Sequence, residues 1–200
     1  MRAIQRALEA AGYAVLNLDY PSRHFRLDAL AETIHPAVAR FAGANQGVLH
    51  VVAHSMGGLL ARVYLARYRP ARLGRVVMLG PPNGGSEVAD FLRHWPLYRL
   101  VFGPAGQQHV TAPNDEGLFA FGAVDYELGV LAGDRPLIPT ISGLLLPGLN
   151  DGKVTVASTR LAGMKDHRTI STSHTRLAAH PKAIAATLRF LQDGRFGAAP

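Results

Sequence analysis

One stretch of the chain has the residue types and spacing to do covalent chemistry: Ala53-His54-Ser55-Met56-Gly57-Gly58. An apolar, β-branched run, Val48 to Ala53, leads into it, and Leu60, Val63 and Tyr64 follow at helical spacing. The pattern predicts a buried parallel strand, a very tight turn and a helix, with the serine on the turn. Such a bend forces the serine into strained dihedrals and requires nearly side-chain-free neighbours, which Ala53 and Gly57 supply. The usual form is Gly-x-Ser-x-Gly, and Ala53 takes the place of the first glycine. The turn lifts the Ser55 hydroxyl clear of the strand ends and aims the unpaired N–H groups of the helix start at the same point. That is an arrangement for nucleophilic attack on a carbonyl, and the alternative is a strand-to-helix loop that merely contains a serine.

A serine hydroxyl is a weak nucleophile near neutral pH, so it needs a base within hydrogen-bond reach and an anion to hold that base in the right tautomer. The nine histidines are the pool. His54 adjoins the nucleophile, but side chains of neighbours on a strand diverge, which places it in the wall of the site. His24, His35, His94 and His109 fall in helices or in an insertion, and read as surface or packing residues. His180 opens the last helix, and His167 stands at the wrong end of the last strand. His174 follows the carboxyl end of that strand among small polar residues, the position a base requires. Two carboxylates then compete: Asp151, in an Asn-Asp-Gly turn that can equally be a plain hairpin, and Asp134, directly after a strand.

The elements that must position these groups follow from periodicity and punctuation. Ile4, Ala7, Leu8 and Ala11 mark a helix ended by Gly12, and Tyr13 to Tyr20 reads as a strand stopped by Pro21. Leu30, Ile34, Val38 and Phe41 mark a second helix with Asp28 as N-cap and a kink at Pro36. After the serine helix come strands at Arg75–Gly80, Leu128–Gly133 and Arg168–Ser171, then a closing helix from Pro181 to Gln192. Strands alternating with helices predict an α/β fold, a mainly parallel sheet with helices on both faces, whose reactive groups gather beyond the carboxyl ends of the strands. Residues 83–125 interrupt the alternation. Val88, Phe91, Leu92 and Trp95 form an apolar stripe there, which reads either as a cap over the site, supplying an acyl pocket, or as packing on the body.

The 200 residues suffice for one domain with an adequate core, here 1–200 with 83–125 as the cap insertion. Cysteine is absent, which excludes disulfides and favours a reducing compartment such as the cytoplasm. No apolar run reaches the ~20 residues of a membrane span, and no signal-peptide pattern stands at the N-terminus. The net charge of +7 comes mostly from arginines scattered along the chain, the lysines being Lys153, Lys165 and Lys182. Scatter without interleaved aromatics argues against nucleic acid and for solvated faces, while leaving transient contact with a lipid surface open. The pattern calls for no cofactor, no metal and no obligate protein partner.

The sequence resembles the α/β-hydrolases, specifically bacterial lipases and esterases of the triacylglycerol-lipase type. The residues that carry the resemblance are Ala53 to Gly58, Leu79-Gly80-Pro81-Pro82-Asn83-Gly84-Gly85-Ser86, Asn150-Asp151-Gly152-Lys153-Val154, Ser173-His174-Thr175 and Tyr13 to Arg23. The resemblance covers nearly the whole chain and implies Ser55 as nucleophile, His174 as general base and acid, Asp151 as the orienting carboxylate and the Met56 N–H as an oxyanion donor. The implied substrate is a small-molecule or lipid ester. Acyl transfer or thioester cleavage by the same triad, or a non-catalytic fragment that binds an acyl ligand, are the alternatives. In the family a further strand ending in a His-Gly loop precedes the first helix and supplies the second oxyanion N–H. Here Met1 already opens that helix, so the resemblance implies an N-terminally shortened chain with a gap between the Tyr13 and Val48 strands. Weak activity at best is the expectation for residues 1–200 alone, since one lost oxyanion donor lowers the rate ~10² to 10³-fold.

Overall fold

Among the described residues four strands form a parallel sheet in the order β1-β2-β3-β4. They are β1 (Leu49–His54), β2 (Leu73–Leu79), β3 (Leu128–Gly133) and β4 (Asp166–Ile170). The described helices are α1 (Arg2–Ala10), α2 (Leu27–Ala44), α3 (Met56–Arg67), the short α4 (His174–Leu177) and α5 (Pro181–Asp193). The computed structural model describes residues 1–21, 25–84, 121–137, 146 and 148–197. The apolar stripe and most of the expected cap, residues 85–120, lie outside the described residues.

Period-two alternation along the buried strands divides the core between the two faces of the sheet. Val76, Met78, Leu128 and Val130 face α2 and α3, where they meet Leu30, Ile34, Leu60 and Tyr64. Val77, Leu79, Leu131 and Ile170 face the other way, onto Ile4 and Leu8 of α1 and Ala183, Ala186 and Phe190 of α5. Helices on both faces make β3 apolar and buried at all six positions. Gly129 is required inside it: a Cβ there would come within 2.7 Å of the rings of Phe190 and Phe196.

Local punctuation explains most boundaries. Gly12, at φ +87°, ends α1 with a left-handed residue, and the Tyr13 N–H closes on the Leu8 carbonyl at 3.1 Å. Pro181 occupies the first turn of α5, where its missing N–H costs nothing, and Gly194 ends that helix at φ +73°. Two expectations need correction, the cap of α2 and the strand at Tyr13. The N-cap of α2 is Arg26, not Asp28, which lies inside the first turn and accepts its own neighbour Ala29 N–H at 3.0 Å. That helix continues through Pro36 to Ala44. Tyr13 to Tyr20 is not a strand of the sheet.

The reason for the last is spatial. The segment from Tyr13 runs without strand pairing on the far side of a hollow of about 320 Å³ from β1; Val15, Leu18, Val51, Val52, Leu60 and Tyr64 are among the residues that line it. An extended backbone becomes a strand only when a neighbour lies close enough to share hydrogen bonds, and β1 is separated from it by the hollow. The hollow accounts for the incomplete burial of β1, in which only Ala53 is buried, whereas the second half of the adjacent β2 is buried throughout.

The crowding around Gly129 predicts that Gly129→Ala lowers stability by about 1–3 kcal/mol, through displacement of Phe190 and Phe196 rather than through the backbone. A denaturant midpoint that falls while the dependence on denaturant concentration stays constant checks this.

Candidate active site

β1 ends at His54, and Ser55 turns the chain into α3 with φ 56° and ψ −129°. Among the described residues it is the only non-glycine at positive φ. A strain of about 1–3 kcal/mol is typical of such a conformation and persists only where the surroundings impose it. Here they do: the Ser55 N–H donates to the Leu79 carbonyl of β2 at 2.8 Å, and the Ser55 carbonyl accepts from Gly58 N–H at 2.9 Å. The small residues around it are needed as expected. A Cβ on Gly57 would stand 3.3 Å from the Tyr20 hydroxyl, and one on Gly58 would meet the Pro81 ring at 2.9 Å. Met56 opens α3, so its N–H projects from the first turn with no backbone partner among the described residues.

From the opposite side of the strand ends comes His174, the first residue of α4. It begins a helical turn rather than lying in a loop. The Ser55 Oγ–H donates to His174 Nε2 at 2.8 Å, across 119 residues of sequence. On its other edge the imidazole donates Nδ1–H to Asp151 Oδ2 at 2.7 Å. A carboxylate can only accept, so this bond assigns the proton to Nδ1 and leaves Nε2 free to receive the serine proton. Ser55, His174 and Asp151 are thus brought together in one hydrogen-bonded row. Asp134 is not part of it; its buried Oδ1 has no hydrogen-bond partner among the described residues.

Asp151 is held more completely than any other group here. Its side chain is fully buried. Its Oδ1 accepts the N–H groups of Lys153 at 3.0 Å and Val154 at 2.8 Å, leaving Oδ2 for the histidine. The turn is also a hairpin, since Asn150 and Thr155 form an antiparallel bridge and Asp151 N–H donates to the Val154 carbonyl at 3.1 Å. The Asn-Asp-Gly segment is therefore a hairpin that also presents its carboxylate to His174, because the tight turn is what points backbone donors at Oδ1.

Two glycines that chain-local reasoning could not assign a role make room for the row. Gly80 follows β2 at φ +57°, and a Cβ on it would sit 3.2 Å from the His174 ring and 3.4 Å from Asp151 Oδ2. Gly133 ends β3, where a Cβ would lie 2.6 Å from the Thr172 carbonyl and 2.8 Å from Asp151 Cβ. Only their position at the carboxyl end of a predicted strand hinted at this. His54, read from the sequence as part of the wall, donates from Nε2 to the His174 carbonyl at 3.0 Å. Burial, then the charge of His174, pushes its pKa down to about 4. Other described histidines lie away from the row: His35 stacks on Tyr68, His50 Nδ1 accepts the Arg75 N–H, and His167 meets the Thr159 hydroxyl. Among the described residues no three His, Asp or Glu side chains could hold a metal ion, and no helix is long and apolar enough to cross a membrane.

With this geometry the comparisons are informative. The family model of the alpha/beta hydrolase fold matches residues 5–106, just over half of the chain, and the protein belongs to that family. The fold is similar to that of the mature form of Bacillus licheniformis lipase BlEst2, with a TM-score of 0.72 and 18% identity, over 96% of this chain and 83% of that one. Legionella pneumophila phospholipase PlaB matches with a TM-score of 0.55 and 19% identity over 78% of this chain. The metagenomic carboxyl esterase MGS0156 matches with 0.62 and 18% over 87%. The chain spans 40% of the phospholipase and 58% of the esterase. At these identities the likeness is one of fold. No curated protein shows significant sequence similarity to the chain.

Gly80→Ala adds a methyl against the imidazole and forces an L side chain into left-handed backbone, so it lowers kcat at least about tenfold while the protein stays folded, as steady-state kinetics beside circular dichroism will report. His54 gives a stability signature. Its folded pKa of about 4 lies below the ordinary 6.5, so its contribution is fully present above pH 6.5 and lost as pH falls towards 4, where the unfolded chain takes up a proton the native state refuses. The difference in thermal midpoint between the wild type and His54→Gln therefore shrinks in favour of the variant from pH 6.5 to pH 4; a difference that stays constant would contradict it.

Proposed function

We propose that this protein is a serine carboxylic-ester hydrolase, an esterase or lipase, that works through an acyl-enzyme on Ser55. The observation that carries the reading is the unbroken row from Ser55 Oγ through His174 to Asp151, at 2.8 and 2.7 Å, built on a strained turn. The proteins of similar fold, among them a lipase, a phospholipase and a carboxyl esterase, favour an ester substrate over other acyl compounds.

In this mechanism His174 Nε2 takes the hydroxyl proton as Ser55 Oγ attacks the ester carbonyl carbon. Negative charge moves to the carbonyl oxygen, beside the Met56 N–H at the positive end of α3. Asp151 stabilises the imidazolium without taking its proton. The tetrahedral adduct collapses by breaking the bond to the alcohol oxygen, which leaves with the proton now on Nε2. Water then gives a proton to Nε2 and attacks the acyl carbon, the bond to Ser55 Oγ breaks, and Oγ recovers the proton as the acid departs. Asp151, with two backbone donors on Oδ1, holds its charge and orientation through both halves.

A fluorophosphonate probe and hydrolysis of p-nitrophenyl acetate test the reading together. Ser55→Ala abolishes labelling and lowers kcat at least about 10³-fold, and Asp151→Asn lowers it by about 10⁴ because the amide favours the wrong tautomer. Asp134→Asn leaves kcat within about threefold. Labelling that survives Ser55→Ala, or a larger loss at Asp134 than at Asp151, overturns the assignment.

A further inference from the structure

The residue before the nucleophile is tied to the base by a bond the reaction itself does not require. His54 Nε2 lies 3.0 Å from the His174 carbonyl oxygen, and the two rings face each other with centroids 4.9 Å apart at 40°. On the other side of the same residue, His174 N–H donates to the Asp151 carbonyl at 3.0 Å. The peptide groups of His174 are therefore gripped from both flanks, by the turn that carries the acid and by the strand that carries the serine.

From this the geometry points to His54 as a positioning residue of the active site, one that fixes the distance between Ser55 and His174 by anchoring the backbone of the base to the end of β1. The inference rests on the serine-hydrolase reading above and deepens it. Its physical basis is the divergence of consecutive side chains at a strand end. Ser55 leaves the strand through its strained turn and meets the imidazole of His174, while His54, the last strand residue, meets the carbonyl of the same residue. Two adjacent residues of one rigid element thus hold the side chain and the main chain of one distant residue, and the serine–imidazole bond cannot lengthen without straining the second tie.

The chemistry of the partner also fixes the state of His54. A carbonyl only accepts, so Nε2 carries the proton and the ring serves as a donor. A ring held in this way does not compete with His174 for the serine proton. Because it is neutral across the working range, with its pKa pushed down to about 4, it puts no positive charge beside the imidazolium that forms during acylation. A protonated side chain in its place would oppose that step.

The test compares kcat and KM for p-nitrophenyl acetate in the wild type, His54→Leu and His54→Gln, with Ser55→Ala alongside and a thermal midpoint for each. His54→Leu keeps the apolar bulk without the donor, and His54→Gln restores an N–H at comparable reach. The expected result is a kcat about tenfold lower or more in His54→Leu with KM within about twofold, and recovery of most of that loss in His54→Gln, since small misplacements of reacting groups have effects of this size. A purely structural role would follow the midpoint and would not be rescued by the amide. An undiminished kcat in His54→Leu, or a His54→Gln no better than His54→Leu, overturns the inference. If His54→Leu does not fold, His54→Asn, whose amide stops short of the carbonyl, takes its place in the same comparison with the same two outcomes. Full activity in Ser55→Ala would instead defeat the hydrolase reading, so the two failures are separable.

Discussion

The structure around the strand ends depends on one buried hydrogen bond, from His174 Nδ1 to Asp151 Oδ2. Both partners are almost wholly withdrawn from water, and a carboxylate in that position is tolerable only if its lone pairs are filled. The hairpin turn fills them with the N–H groups of Lys153 and Val154 on one oxygen and the imidazole on the other. The same turn takes the His174 N–H on the Asp151 carbonyl, so side chain and backbone of the base are both referred to one residue. The orientation of the histidine is thus set before any substrate arrives, which is what a preorganised site requires.

Space for that bond comes from the sheet rather than from the turn. β2 and β3 each end in a glycine, Gly80 following the one and Gly133 closing the other, and both would collide with the row if they carried a side chain. The parallel register brings these two ends side by side, with Leu79 opposite Leu131 and Gly133 opposite Ile170. β1 leads into Ser55 on a backbone strained by its neighbours, so three consecutive strands supply the serine and the room for its partners. β4 leads to His174 through residues 171–173. The sheet order β1-β2-β3-β4 is therefore also the order in which the site is assembled across its width.

Much of this could be read from the chain because it is local. The β-branched run ending in Ala-His-Ser-Met-Gly specifies a strand, a bend and a helix within a few residues, and β3 was recognisable to its boundaries at Leu128 and Gly133. The fold class, parallel with helices on both faces, followed from the alternation of such segments. What escaped depends on neighbours far away in sequence. Tyr13 to Tyr20 has the composition of a strand but lacks the adjacent backbone that would make it one. Asp28 has the right type for a cap, yet the helix begins one residue before it. The residues alone left Asp151 and Asp134 in competition, with the resemblance favouring Asp151, and the surroundings of Gly80, Gly133 and His54 exist only across separations of 18 to 120 residues.

The spacing of the three groups has a consequence for the protein as it is made. Synthesis proceeds from the N-terminus, so Ser55 leaves the ribosome 119 residues ahead of His174, and Asp151 precedes that histidine by only 23. A nascent chain carrying the bend alone holds an ordinary, unactivated hydroxyl. The hydroxyl gains its imidazole partner only when β4 docks at the sheet edge and carries His174 across to the first strand.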